Sequence, residues 1–297
     1  MIGPCRLFVA GDCVQNRTYC EVDVFGAQAY LGNPLAVVLD AQGLDAQQMQ
    51  RFARWTNLSE TSFVLAPTVP GADYQVRIFT PARELTFAGH PTLGSCHAWL
   101  EQGGTPRDAT RIVQQCALGL VGLRREGARL AFRAPPLERT PVQEASLAPV
   151  LRALGLARAA VLAAQWLHSG QPWLALLADS AQTVLALEPN HEALKTQSLV
   201  GVIGPWREGQ PEGGSERCEF EVRAFASSVG IEEDPVTGSL NAALAQWLIA
   251  EGHAPPQYVA SQGARRQRAG RVYIESRKGE VWVGGACATA VRGTVLL

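Results

Sequence analysis

Short runs of alternating apolar and polar residues, rich in β-branched and aromatic side chains, recur along the chain. They occupy residues 20–25 (CEVDVF), 34–39 (PLAVVL), 61–65 (TSFVL) and 74–80 (YQVRIFT). Runs of this length, bounded by turn residues, predict strands. Asn33-Pro34 after Gly32 is such a turn. Between them, residues 44–55 follow the helical period, with Leu44, Met49, Phe52 and Trp55 mostly on one face. Residues 91–101 predict a second helix, lined by Gly94, Ser95 and Ala98 and ended by Gly103-Gly104. Strands are expected at 111–116, 118–124 and 130–133. Pro135-Pro136 then breaks the pattern, so 134–142 reads as a linker.

The second half repeats this grammar. A helix is expected at 147–154, strands at 173–177 and 199–203, and a Gly/Pro loop at 209–215. A strand at 218–226, a helix at 235–250 and strands at 271–276, 280–283 and 288–297 complete it. His90-Pro91-Thr92-Leu93-Gly94-Ser95 aligns with Asp234-Pro235-Val236-Thr237-Gly238-Ser239, with Pro, Gly and Ser in register. Upstream, Arg77-Ile78-Phe79 answers Arg223-Ala224-Phe225 after a small gap difference. A repeat spaced by about half the chain predicts two copies of one domain. The expected division is 1–136 and 137–297, with 1–19 as an extension and the last strand packing back on the first domain. The fold class is α+β.

Composition narrows the functional classes. The chain has 297 residues, 47% hydrophobic and 18% charged, which suits two packed domains. Its formal net charge is -1, from 26 Lys+Arg against 27 Asp+Glu, and favours neither nucleic acid nor an anionic membrane. Arg265-Arg266-Gln267-Arg268 reads as a solvated loop, because tracking phosphates needs more charge. No run approaches the roughly 18 apolar residues of a membrane helix, and no signal peptide is evident, so a cytoplasmic protein is expected. Seven cysteines show neither Cys-x-x-Cys nor zinc-ligand spacing, and reduced, buried thiols are the expectation.

Chemistry gathers at the two small-residue helices. Pro suits the first helical position, which places His90 and Asp234 at cap positions. Aspartate is a good N-cap, whereas histidine is not a preferred one. Gly89, with Gly94-Ser95 and Gly238-Ser239, lets a ligand approach free backbone N–H groups, and helix N-termini attract anions. Two such ends facing one cleft would hold a small carboxylate between His90 and Asp234. Glu60, after Ser59 and among Leu58, Phe63 and Val64, is the third candidate. Burial would raise its pKa and suit it to exchanging a proton near neutral pH. An exposed strand-edge glutamate is the plainer alternative.

VDVF (22–25), GNPLAVV (32–38), NLSET (57–61), FTP (79–81), ELTFAGHPTLGS (84–95) and EDPVTGS (233–239), in that order, resemble the PhzF-like family of phenazine biosynthesis isomerases. The resemblance runs from about Val22 to the end. It implies a fold similar to diaminopimelate epimerase: two pseudo-symmetric domains, each a curved sheet or barrel wrapped around a central helix, with the site between them. It further implies Glu60, His90 and Asp234 as catalytic residues. Ser59, Gly89, Gly238 and Ser239 fall at the substrate, and neither metal nor organic cofactor is implied. The partner would be a small amino- or hydroxy-carboxylate, and a homodimer is suggested. The expected activity is a proton shift within a substrate like dihydro-hydroxyanthranilate. An epimerase using His90 and Asp234 as opposed bases is the first alternative, and a non-catalytic binding protein of the same fold is the second.

Overall fold

Two helices buried on most of their faces each need a sheet wrapped about them, and the chain supplies one for each. The computed structural model describes residues 14–207 and 217–297. The loop expected at 209–215, together with Cys5 and Cys13, lies outside the described residues. The first half runs β1 (Asn16–Val24), β2 (Asn33–Val38), α1 (Ala46–Thr56), β3 (Thr61–Leu65), β4 (Tyr74–Phe79), β5 (Glu84–Leu85), α2 (Gly89–Glu101), β6 (Ile112–Cys116), β7 (Gly119–Glu126) and β8 (Arg129–Arg133). The second runs β9 (Glu138–Pro141), α3 (Glu144–Leu154), β10 (Val161–Ser169), β11 (Gln171–Ala178), α4 (Ala181–Ala186), α5 (His191–Leu194), β12 (Leu199–Pro205), β13 (Phe220–Ala226), β14 (Ile231–Asp234), α6 (Gly238–Ala250), β15 (Gln257–Gln262), β16 (Gly270–Arg277) and β17 (Glu280–Leu296).

The first barrel closes through eight strands. β1, β2, β3, β4, β6, β7 and β8 neighbour one another in that order, with β2–β3 and β4–β6 parallel. β17 then joins β8 to β1. The second sheet repeats the scheme from β9 through β10, β11, β12, β13, β15 and β16 to β17, with β11–β12 and β13–β15 parallel. α2 and α6 are the central helices. Leu93 and Cys96 of α2, and Leu240, Leu244 and Leu248 of α6, are fully buried. This is the α+β pair of pseudo-symmetric domains expected from the sequence.

Strand exchange joins the halves. β17 pairs with β16 and β8 through its first part, then crosses to pair with β1 through its second. Reciprocally, the chain leaving β8 forms β9 and pairs with β10. Two separate strands were expected at 280–283 and 288–297, but one continuous strand spans them. Likewise, part of the expected 134–142 linker is β9.

Register fixes which positions are equivalent. Thr61 faces Phe79 and Val200 faces Phe225, while Ile78 faces Leu85 and Ala224 faces Asp234. Phe79 thus answers Phe225, as the sequence suggested. It follows that Glu60 answers Leu199 and Leu85 answers Asp234. The helices, 13 residues each, begin at Gly89 and Gly238. His90 therefore corresponds to Ser239, not to Asp234.

The described cysteines form no disulfide. Cys20, Cys96, Cys116 and Cys218 are buried, as expected of thiols used for packing. Among the described residues, no helix is long and apolar enough to cross a membrane.

Candidate active site

Local structure places each candidate side chain. Asn57 ends α1 in the left-handed region (φ 56), its amide bonded to the Ala53 carbonyl; asparagine tolerates that conformation. The chain then turns into β3, with Glu60 just before it. The hydroxyls of Thr56 and Thr61, 3.1 Å apart, brace this turn.

The two helix starts differ from the expectation. α2 begins at Gly89, with Ala88 as its N-cap and no side-chain cap. His90 is therefore a first-turn residue, not a cap. α6 begins at Gly238 rather than Pro235, and its N-cap is Thr237. Asp234 is the last residue of β14, not an N-cap. The Thr237 amide donates instead to Gln262 Oε1 at 3.0 Å, so β15 supplies the cap that the local sequence lacks.

Asp234 is held on both oxygens. Its Oδ1 accepts from Asn33 Nδ2 at 2.9 Å, and its Oδ2 accepts from Thr237 Oγ1 at 2.6 Å. Burial, with the Glu60 carboxyl nearby, pushes it up to about 6, although His90, Thr237 and Asn33 oppose the rise. Burial pushes Glu60 up to about 7. The Ser59 hydroxyl lies beside that carboxyl and works against the rise without reaching hydrogen-bond geometry. Burial lowers His90 to about 4, against the pull of Asp234. Removing charge from water disfavours the ionised form in each case.

These values assign the protons. Glu60 Oε2 and His90 Nε2 are 3.5 Å apart, and neither has a hydrogen-bond partner. With His90 neutral, the contact is not an ion pair. Asn33 Nδ2 carries two hydrogens and directs them to Asp234 Oδ1 (2.9 Å) and the Val236 carbonyl (2.8 Å). Its contact with His90 Nδ1, at 3.5 Å, is thus left without a hydrogen. The Pro34 carbonyl, like Asp234, favours the protonated ring and works against the fall. His90 Nε2 faces Glu60, and with the ring proton on Nδ1 it would accept from the Glu60 carboxyl when that is protonated.

Glu60, His90, Asp234, Gly89, Gly238 and Ser239 all line one small cavity between the halves, of about 80 Å³. Ser59 lies outside it, in the adjoining groove. The glycines also have a packing purpose. A Cβ on Gly89 would sit 2.8 Å from the Ser239 amide nitrogen, and one on Gly238 would sit 3.1 Å from Gly89 Cα. The two helix starts touch, and glycine permits that approach. Gly94 likewise makes room for Leu35 and Val24. Asn33, fully buried, was not singled out from the sequence. It stands in GNPLAVV, where Asn-Pro reads as a turn signal, and only the distant Asp234 shows its other use.

Two sheets, each wrapped about a helix with a small cavity between them, define the diaminopimelate epimerase-like fold. Comparison with known proteins gives the family. The profile described as phenazine biosynthesis-like protein, PhzC-PhzF, matches residues 22–293, and the chain belongs to this family. It is 34% identical to "Antisense-enhancing sequence 1" of Schizosaccharomyces pombe, over 93% of this chain and 98% of that protein. It is 31% identical to trans-2,3-dihydro-3-hydroxyanthranilate isomerase of Pseudomonas aeruginosa, over 94% and 99%. A solved Pseudomonas aeruginosa structure described as a predicted epimerase superimposes with TM-score 0.77 at 27% identity, covering 95% of this chain and 99% of that one. The protein is thus an enzyme, a PhzF-like isomerase, and the binding-protein alternative falls away.

Proposed function

We propose that Glu60 moves a proton between two carbons of a small amino- or hydroxy-carboxylate resembling dihydro-hydroxyanthranilate. The observation that carries this reading is the Glu60 carboxyl, its pKa raised by burial to about 7, lying 3.5 Å from an unpartnered His90 nitrogen. Ionised Glu60 takes a proton from an sp³ carbon, and the C–H electron pair moves into the adjoining π system. The resulting carboxylic acid, steadied by His90 Nε2, returns the proton to a second carbon on the same face as the double bond shifts. The proton and the electron pair thus remain within substrate and Glu60. Asp234, fixed by Asn33 and Thr237, accepts from a substrate amino or hydroxyl group. The N–H groups of Gly89, Gly238 and Ser239, at two helix starts, favour the substrate carboxylate; Ser59 acts on Glu60 from the outside.

The asymmetry of the cavity supports a single base. The counterparts of Glu60 and Asp234 are Leu199 and Leu85, and both leucines line the cavity. His90 and Asp234 approach the same Asn33 nitrogen, which counts against their working as opposed bases on two faces of one carbon. The same reading divides the chain at 136/137, and takes the working form as a cytoplasmic homodimer without nucleic-acid partners, in keeping with the family resemblance and the net charge of -1.

The test uses trans-2,3-dihydro-3-hydroxyanthranilate and related cyclic amino acids in heavy water. Turnover with Glu60→Gln is expected to fall by about 10²–10⁴-fold while ligand binding persists. Undiminished turnover in that variant would overturn the assignment.

A further inference from the structure

The catalytic cavity contains carboxyls but no cation, whereas three arginines stand just outside it. The inner cavity opens into a groove of about 830 Å³ between the halves, and Thr80, Gln171, Val229 and Ile231 line both. Arg83, Arg266 and Arg268 line only the groove. Arg83 Nη2 donates across the cleft to Gln171 Oε1 at 3.1 Å, so its guanidinium is held at the threshold by a neutral partner. Arg266 sits in the turn at 263–268, whose amides at Arg266 and Arg268 both bond the Gly263 carbonyl. Arg268 Nη1 donates to the Tyr30 carbonyl at 2.9 Å, and its Nε is buried without a partner. Two acids share the groove, Glu232 and Glu233. Glu233 is already taken by a two-pronged bond from Arg223 (2.9 and 2.8 Å). The groove thus carries three guanidiniums against Glu232, whose charge also reaches Lys195, while Asp23 lies behind Arg268.

Size points the same way. Small-molecule pockets commonly span about 300–1,000 Å³, far more than the inner cavity, so part of any substrate remains in the groove. We propose that Arg83, Arg266 and Arg268 form an anion-binding vestibule, and that the substrate carries a second acidic group, carboxylate or phosphate, held there while its exchanging carbon reaches Glu60. This rests on the proton-transfer reading above, but makes a separate claim about substrate class. Arginine's planar fork suits either anion.

The probes are 2-aminobenzoate, with one carboxylate, 2-aminoterephthalate, with two, and the 4-phosphono analogue of 2-aminobenzoate. Binding to the full chain is measured by calorimetry at low and high salt. At least one dianion is expected to bind about tenfold more tightly than 2-aminobenzoate, roughly 1.4 kcal/mol, and the stronger of the two identifies the acidic group. That advantage should shrink with salt. It should also vanish in the Arg83→Ala/Arg266→Ala double variant, leave 2-aminobenzoate affinity unchanged, and return in part with Arg83→Lys. Dianions that bind no better than 2-aminobenzoate, or fail to bind, overturn the proposal; so does an advantage that survives the double variant. Glu60→Gln should keep the dianion preference, so loss of turnover and loss of the vestibule are separately visible.

Discussion

Gly89 and Gly238 meet backbone to backbone: a Cβ on the first would lie 2.8 Å from the carbonyl carbon of the second. Neither main chain can yield as a side-chain tip would. Gly89→Ala is expected to lower stability by about 1–3 kcal/mol through overpacking, and to slow turnover by parting the helix starts. Gly94→Ala would meet only the side chains of Leu35 and Val24 and should cost less. Urea midpoints for the two variants check the order; a Gly89→Ala midpoint equal to the parent's would contradict the close contact.

Proton exchange should depend on pH through Glu60. The first step needs the carboxylate, and burial places its titration at about 7. The rate of exchange from heavy water should therefore rise with pH and reach half its plateau near 7. His90, lowered to about 4, stays neutral throughout this range. A half-maximal rate near 4.5 would mean that Glu60 titrates as an exposed carboxylate.

The same group makes the fold less stable in alkali. Folded Glu60 keeps its proton up to about 7, against 4.5 for an unperturbed carboxyl. Between those values the folded state binds more protons, so stability falls as pH rises through this window. Glu60→Gln removes that penalty. It should stabilise the protein by up to about 3 kcal/mol at pH 8, with the gain fading below pH 4.5. Thermal unfolding of parent and variant across this range is the measurement.

Asn33 ties the strand after the first turn to Asp234 and to the Val236 carbonyl. Asn33→Ala should cost about 1–3 kcal/mol, because buried acceptors lose their donor. Asn33→Asp should be worse still, since it adds a second carboxyl beside Asp234. Its excess cost should shrink as pH drops below about 6, where Asp234 protonates. Equal melting of Asn33→Asp and parent at neutral pH would show that the amide is not needed.

The sequence made the periodic elements legible, and much of the candidate site with them. The strands at 61–65 and 74–80 and the helix after His90 form close to where alternation and period place them. Glu60, His90 and Asp234 do converge. The helix starts differ from expectation because proline position does not mark them here. Pro91 lies inside α2, yet Pro235 precedes α6, whose start is fixed by Gln262 from a strand far along the chain. Aligning the two prolines paired His90 with Asp234, when backbone register pairs it with Ser239. Asn33 escaped notice for the same reason: its partners are more than half the chain away. The turn at Arg265–Arg268 is the largely exposed loop expected, and only the tertiary fold shows that Arg266 and Arg268 line the same groove as Arg83.

The crossing of β17 has a consequence for how the protein is made. Asn16, at the start of β1, pairs with Leu296, the penultimate residue. The first barrel cannot seal until the ribosome has released β17. Until then one edge of β1 stands open, and an open edge can recruit a strand from another chain. A second nascent copy would offer the same strand, making exchanged dimers a natural misassembly. A chain cut short within β17 would therefore damage β1, more than 250 residues away, and not only the strand that is lost.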